Sequence, residues 1–175
     1  FAIDTPEGRA FHIPDYKFDW TPVDGRPFDI AKLSILASQG ALMLASDALG
    51  STNAGYTKSE KDNEAQVETI ARGARGRNFF TTISANISRM QQAINVASRL
   101  GRKVAFVGRS IDSKMNIAKN LGYASFAGGV VPVKKAANLP PNKVMFIISG
   151  SYGQAGSALD RVSQDEHDLL TAEPG

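Results

Sequence analysis

The sequence predicts an α/β fold in which a mostly parallel sheet is flanked by helices. Strand and helix patterns alternate from residue 59 onward, and three of the predicted strands are each followed by a small polar turn. In the clearest helix, residues 86–100, apolar residues recur at three- and four-residue steps. Because parallel strands need crossover connections, this order favours a parallel sheet with helices on both faces.

The first 58 residues predict a hairpin, a loop, a short helix and one further strand. Apolar segments flank the turn sequence Thr5-Pro6-Glu7-Gly8, which indicates a hairpin over residues 1–14. Proline and glycine indicate a loop over residues 20–29. The remaining elements are a helix over 28–39, a buried strand over 41–45 and a loop over 46–56.

The rest of the chain predicts alternating helices and strands. In order, these are a helix over 60–72 capped by Ser59, a strand over 77–83, a helix over 86–100, a strand over 103–107, a helix over 112–121, a strand over 144–149 and a helix over 157–164. Residues 128–141 predict a loop with a short strand over 130–133. In the helix over 60–72 we expect Ala65, Val67, Ile70 and Ala71 to face partly inward. In the next we expect Arg89, Gln92 and Arg99 to face away from the core.

Composition excludes several classes of protein. The 175 residues have the length of about one domain, and 42% of them are hydrophobic, which is enough for a core. Cysteine is absent, which excludes disulfide scaffolds and cysteine-ligated metal sites and suits a reducing cytoplasm. No apolar run approaches the roughly 18–20 residues that span a bilayer, so no membrane association is predicted. The chain starts without Met or a signal peptide, and its last residues resemble the middle of a protein, so we expect an internal fragment.

Positive charge is concentrated in the middle of the sequence. The net charge is only +3, but residues 71–119 contain ten basic residues and a single acidic one, Asp112. Such a block is typical of a surface that meets phosphate groups. The alternative is that these side chains merely solvate the ends and faces of helices.

Polar turns follow three of the predicted strands. They are residues 84–86, 108–110 and 150–156. At the carboxyl edge of a parallel sheet, the first N–H groups of each following helix have no partner within the helix, and small residues let an anion approach them. Arg109 would add a charged donor. The alternative is that these are ordinary caps and turns, and none of them carries a nucleotide-binding fingerprint.

Two carboxylates follow predicted strands in the first part of the chain. Asp15 comes directly after the hairpin and Asp47 after the strand over 41–45, so each is a candidate ligand for a hard metal ion. The alternative is a turn residue, or for Asp15 an ion pair with Lys17. His12 and His167 are the only histidines and lack any metal-binding spacing; we expect His12 to be packed or half-exposed and His167 to lie on the surface.

Several strings, in the same order along nearly the whole chain, resemble the ribonuclease J family of metallo-beta-lactamase-fold nucleases with an inserted beta-CASP domain. They are PDYKFD (14–19), TPVDG (21–25), SD (46–47), GYTKSEK (55–61), SANISRMQQ (84–92), GRKV (101–104), GRS (108–110) and SALDR (157–161). The resemblance implies that residues 1–50 are the later part of a metallo-beta-lactamase domain. Residues 51–170 would then be most of a beta-CASP domain, and 171–175 the start of the returning segment.

The resemblance also implies a function, namely zinc-dependent hydrolysis of RNA phosphodiesters, endonucleolytic, 5′-to-3′ exonucleolytic or both, in RNA processing and decay. Asp15 matches a carboxylate that bridges two zinc ions, and Asp47 matches an acidic catalytic residue. The residues that match RNA contacts are Ser84, Ala85 and Asn86; we add Arg109 and Ser110 from the turn argument.

The full-length protein would be a cytoplasmic homo-oligomer, a dimer or a tetramer. Because the family's histidine motifs are absent from these 175 residues, the segment alone is expected to be inactive. Two alternatives stay open: an α/β module that binds RNA or phosphate without chemistry, and an inactive structural paralogue.

Overall fold

A computed structural model of the chain describes residues 1–126 and 128–172. The chain forms two compact units, Phe1–Lys61 and Asp62–Gly175, and each is described by itself. Of the predicted returning segment, residues 171 and 172 have no regular structure, and 173–175 lie outside the described residues. Within the described ranges, every helix is too short or too polar to span a bilayer.

The first unit contains a three-stranded sheet and one helix. Its elements are β1 (Ala2–Thr5), β2 (Gly8–Ile13), α1 (Ile30–Ala37) and β3 (Met43–Ser46), as the sequence predicts. β1 and β2 form the antiparallel hairpin, and β3 pairs with β2 in parallel. Asp29 caps α1, because its Oδ1 accepts a hydrogen bond from the Lys32 N–H at 2.9 Å.

The prediction that β3 is buried is wrong. Met43 and Leu44 are 55% and 61% exposed. β3 is an edge strand that pairs only with β2, and nothing in residues 1–61 covers these two side chains. Apolar composition identified the strand correctly, but it does not specify which element lies on top of it.

The second unit is built on a parallel sheet. The helix α2 (Glu60–Gly73) leads into it, and its elements are β4 (Asn78–Thr81), α3 (Ile87–Arg99), β5 (Lys103–Val107), α4 (Arg109–Asn120), α5 (Val133–Ala136), a 3₁₀ turn (Pro141–Lys143), β6 (Val144–Ile148) and α6 (Ala158–Ser163). The strand order is β4–β6–β5, and both pairs are parallel. The predicted α/β fold with a parallel sheet and flanking helices is confirmed.

Both faces of this sheet are covered. Val104 and Phe106 of β5 pack in a core with side chains of α3 and α4, such as Met90 and Met115. The alternate residues of the same strand pack in a second core with α5 and α6. This alternation follows from the two-residue period of a strand, and it makes β5 and β6 apolar throughout.

Two predicted boundaries are wrong. α4 begins at Arg109 and not at residue 112, because the carbonyl oxygen of Gly108 already accepts hydrogen bonds from the N–H groups of Ile111 and Asp112. The predicted strand over 130–133 is only an isolated bridge between Val130 and Val104. It is followed by α5, which begins directly after Pro132; the carbonyl oxygen of Pro132 accepts hydrogen bonds from the N–H groups of Lys135 and Ala136.

The predicted placement of three residues on two helices is also wrong. Gln92 is 2% exposed, since α3 buries a wide face that extends from Met90 to Ala97. In α2 only Ala71 is fully buried; Ala65 is exposed, and Ile70 is 75% exposed. α2 therefore packs along a narrow stripe, whereas the apolar pattern suggested a broad one.

Arg102 joins several segments at the amino end of the parallel sheet. Its side chain is 6% exposed and its two terminal nitrogens donate hydrogen bonds to five backbone carbonyls, those of Ala71, Ala74, Gly76, Pro141 and Val144. Burial lowers the pKa of Arg102 from its ordinary value. The guanidinium thereby connects the end of α2, the turn before β4 and the start of β6.

We predict that Arg102→Met lowers the free energy of unfolding by about 3 kcal/mol, because buried carbonyls lose a charged donor. Arg75→Met is the matched control, since Arg75 is an exposed arginine close by in sequence; its effect should stay within about 0.5 kcal/mol. Urea unfolding measures both values, and equal stabilities for the two variants would contradict the role of Arg102.

Candidate functional site

The three polar turns lie together at one edge of the parallel sheet. β4, β6 and β5 run in the same direction, so the turns that follow them share the carboxyl edge. The first two turns are in direct contact, because Ser110 Oγ donates a hydrogen bond to Ser84 Oγ at 3.2 Å. The third turn is adjacent to the second, since the Ser149 N–H donates to the carbonyl oxygen of Val107 at 3.1 Å.

Ser84 lies at the centre of a small polar cluster. Its hydroxyl oxygen accepts hydrogen bonds from Ser110 Oγ and, at 2.8 Å, from Lys114 Nζ. Ser84 is half-buried, whereas Ser110 and Lys114 are exposed on α4. Sequence analysis missed Lys114. Residues 110 and 114 are four apart and share a face of α4, but the sequence prediction began this helix at residue 112, so it did not place them together.

Asn86 caps α3. Its Oδ1 accepts a hydrogen bond from the Arg89 N–H at 3.0 Å, and its carbonyl oxygen accepts from the Met90 N–H. Asn86 Oδ1 therefore acts as an ordinary helix cap, as the alternative to anion binding predicted. The side-chain amide group of Asn86 is the donor that this residue can still offer to a ligand. Ala85, between Ser84 and Asn86, is exposed, whereas the N–H groups of Asn86 and Ile87 donate within the turn to the carbonyl oxygens of Ile83 and Ala85.

Gly108 makes the second turn possible. Its φ is +116°, and a Cβ at this position would lie 2.5 Å from Ser149 Oγ. Arg109 and Ser110 occupy the first turn of α4, both exposed. An arginine at a helix N-terminus opposes the helix dipole. An anion bound at this edge would remove that electrostatic cost.

The third turn is tightly closed onto α6. A Cβ on Gly150, whose φ is +120°, would collide with Ser157 Oγ. Ser157 in turn caps α6, because its hydroxyl accepts a hydrogen bond from the Asp160 N–H. Tyr152 is 73% exposed at the tip of this turn.

The basic block does not form one surface. Only Arg89, Arg109 and Lys114 lie in the first half of a helix that starts at the carboxyl edge. The other seven basic residues of 71–119 lie at the opposite end of the sheet or in the segments that lead to it; they are Arg72, Arg75, Arg77, Arg99, Arg102, Lys103 and Lys119. Several of these make structural contacts: Arg72 and Arg99, for example, both pair with Glu68. The prediction of a single cationic block is therefore wrong, and the positive charge at the polar edge is smaller.

Asp15 and Asp47 lie at the carboxyl end of the parallel pair β2–β3 in the first unit. Asp15 is exposed two residues after β2, and Asp47 directly follows β3. The Asp47 N–H donates to the carbonyl oxygen of Ile13 at 3.0 Å, and Asp47 Oδ1 accepts from the Leu49 N–H at 2.9 Å. Asp47 is thus in part the turn residue that the alternative described.

Asp15 does not form an ion pair with Lys17. Lys17 Nζ pairs instead with Glu60 Oε1 at 3.1 Å, so the ion-pair alternative for Asp15 is wrong. Over residues 1–126 and 128–172, no three His, Asp or Glu side chains come together as a possible metal site. His12 is exposed and its ring stacks on Phe1, with the centroids 6.3 Å apart. His167 is half-buried, and burial lowers its pKa.

Asp19, which sequence analysis did not single out, fixes the segment that carries Asp15. The side chain is 7% exposed, and its oxygens accept hydrogen bonds from the N–H groups of Thr21 at 3.0 Å and Glu60 at 2.8 Å. The Glu60 N–H is the main reason that the pKa of Asp19 lies below its ordinary value; the Ser59 hydroxyl contributes further. The signal that sequence analysis passed over for Asp19 was its position in PDYKFD (14–19).

Comparison with known proteins identifies the family. The family model described as "Ribonuclease J, beta-CASP domain" matches residues 75–175. The chain belongs to the ribonuclease J beta-CASP family. Ribonuclease J of Helicobacter pylori strain J99 is 36% identical over 174 residues, which cover 99% of this chain and 25% of that protein.

Two further relatives have the same coverage of this chain. Ribonuclease J of Mycolicibacterium smegmatis is 36% identical over 175 residues and that of Thermus thermophilus is 35% identical over 174 residues, with 31% and 30% of those proteins covered. The chain therefore spans about a quarter to a third of the length of these curated relatives. The resemblance to ribonuclease J is confirmed, while the roles of individual residues stay predictions.

We predict that Gly108→Ala lowers the free energy of unfolding by about 2 kcal/mol, since alanine is strained at this φ and meets Ser149. Gly73→Ala is the matched control: Gly73 has no positive φ, and no described side chain occupies the space for its Cβ. That change should stabilise the protein by about 0.5 kcal/mol. Thermal unfolding distinguishes the two variants. A Gly108→Ala variant more stable than the wild type would contradict the close approach of Gly108 to Ser149.

We predict that the stability gained from Asp19 depends on pH. Because its pKa is lower in the folded protein, the gain is fully present above the ordinary value of 3.8 and is lost as pH falls through the lowered pKa. The difference in stability between the wild type and Asp19→Asn should therefore shrink on acidification. Asp24→Asn, at an exposed loop position, controls for loss of one charge. A difference that is independent of pH would contradict the prediction.

Proposed function

We propose that this chain is part of a ribonuclease that hydrolyses RNA phosphodiester bonds, and that its second unit holds the RNA strand. The observation that carries the proposal is the meeting of three polar turns at one edge of a parallel sheet, in a chain of the ribonuclease J beta-CASP family. The relatives named above are ribonucleases by name, which supports RNA as the substrate.

The chemistry of the polar edge suits the RNA backbone. Ser84, Ser110 and the amide group of Asn86 are neutral donors, and Arg109 supplies a charged and bidentate donor. Side chains of these types, together with backbone N–H groups, make most of the contacts to phosphate and sugar in nucleic-acid complexes, so we expect contacts to the RNA backbone here. Ala85 offers no side-chain donor and contributes only its exposed backbone. We therefore assign the RNA contacts to Ser84, Ala85, Asn86, Arg109 and Ser110.

Asp15 is proposed as one carboxylate ligand of a two-zinc centre in the full-length ribonuclease. Its exposed position past the end of β2 and its freedom from Lys17 suit a ligand role. The residues described in this structure do not complete a zinc site, because they include no group of three ligands. The first unit is accordingly proposed to be the later part of a metallo-beta-lactamase domain, with the other zinc ligands elsewhere in the full-length protein.

Asp47 is proposed to act at the same end of the sheet. Its Oδ1 is engaged by the Leu49 N–H, which fixes the carboxylate and leaves Oδ2 as its other acceptor. A fixed carboxylate can orient a metal ligand or a water molecule. A cytoplasmic location and assembly into a homo-oligomer remain part of the proposal.

An RNA-binding module without chemistry is the second candidate. The observation that favours it is the incomplete set of metal ligands in the described part of the chain. A nuclease assay on the full-length protein, with and without a chelator, separates the two functions. Cleavage that the chelator abolishes supports the zinc enzyme, whereas RNA binding without cleavage supports the module.

We predict that Asp15→Ala in the full-length protein lowers RNA cleavage by more than about a hundredfold, because even the partners of metal ligands are worth about 10- to 100-fold. Stability should be unchanged, since Asp15 is exposed. Glu7→Ala is the matched control: it removes a carboxylate from the β1–β2 turn, at the opposite end of β2. Cleavage by Asp15→Ala at the rate of Glu7→Ala would refute the assignment.

A further inference from the structure

We propose that Lys114 is a positioning residue of the polar edge, which orients the Ser84 hydroxyl toward an RNA phosphate and adds a positive charge beside it. This inference rests on the proposed RNA-binding function. It concerns a residue outside the strings that carry the family resemblance, and it is argued from the contacts of α4 with the turn that follows β4.

The hydrogen bond from Lys114 favours the Ser84 hydroxyl as a donor to a further group. A hydroxyl oxygen has two acceptor lone pairs and one O–H donor. Lys114 Nζ donates to Ser84 Oγ at 2.8 Å, and Ser110 Oγ donates to it at 3.2 Å. Because an ammonium group can only donate, Lys114 occupies one lone pair of Ser84 Oγ and leaves the Ser84 O–H to donate. A charged phosphate oxygen is a stronger acceptor for this proton than the neutral Ser110 Oγ.

The fold holds Lys114 at this position. Ile111 and Met115, on one side of α4, are fully buried in the core. Ser110 and Lys114, four residues apart, share the exposed side of the helix. Because α4 is anchored by its apolar face, the lysine is presented to the Ser84 turn without further ordering of the backbone.

The charge of Lys114 is available to a ligand. Arg72 and Arg99 form ion pairs with Glu68, and Arg99 also with Glu64, but no carboxylate among the described residues pairs with Lys114. An ammonium group has three protons, of which one is donated to Ser84. The other two can contact an anion. Seven of the ten basic residues in 71–119 lie away from the carboxyl edge. Lys114 and Arg109 therefore supply much of the positive charge at that edge.

The test compares binding of a single-stranded RNA oligonucleotide to the intact protein over a range of salt concentrations. We expect Lys114→Met to weaken binding about tenfold, the value of one charged hydrogen bond. The slope of log Kd against log salt should fall by about 0.7, as for the loss of one phosphate contact on a single strand. Lys114→Arg keeps the charge and should restore most of the slope.

Two further variants make the test specific. Lys135→Met removes the same charge from an exposed position on α5 and should bind RNA like the wild type. Ser84→Ala combined with Lys114→Met should lose less affinity than the sum of the two single changes, because the residues act through one hydrogen bond.

The outcomes distinguish this inference from the proposed function. If the wild type binds RNA with a clear salt dependence and Lys114→Met has the same affinity and slope, the inference is overturned and the proposed function stands. A loss of thermal stability in Lys114→Met with an unchanged salt slope would also overturn it, because it would show that the Lys114–Ser84 hydrogen bond only stabilises the fold. If the wild type does not bind RNA, the proposed function fails and the inference fails with it.

Discussion

Parallel pairing of β4 and β5 with β6 is the constraint on which the candidate site depends. Parallel strands place all their carboxyl ends at one edge, so residues far apart in sequence, such as Ser84 and Ser110, come within hydrogen-bond distance. The pairing is maintained by β6, which is buried along its whole length between two apolar cores. The polar turns at this edge can therefore be exposed and irregular, because the buried sheet keeps their positions.

The basic side chains at the two ends of the parallel sheet have different environments. At the amino end, Arg102 is buried and satisfied by five carbonyls, and Arg99 is paired with glutamates. These cations stabilise the fold and are not available to a ligand. At the carboxyl end, Arg109 and Lys114 are exposed beside polar turns. A count of basic residues along the sequence overstates the charge that a phosphate would meet, because the count ignores this division.

In the first unit, the buried carboxylate of Asp19 fixes the segment that carries Asp15, the candidate ligand. Asp19 is buried and accepts backbone N–H groups, whereas Asp15, four residues earlier, is exposed. One acidic residue therefore fixes the segment, and the other is presented to solvent. Both belong to PDYKFD (14–19), so a single short string contains a structural and a candidate functional carboxylate. Their environments, and not their residue type, separate the two roles.

Local patterns in the sequence determined most of the elements and the family. The periodicity of residues 86–100, the apolar strands over 103–107 and 144–149 and the turn at Gly108 needed no tertiary information, because they depend on neighbours in the chain. Tertiary structure alone decided the burial of Gln92, the exposure of β3 and the contact of Lys114 with Ser84. These features depend on which element packs beside which. Such contacts join residues distant in sequence, and no local period encodes them.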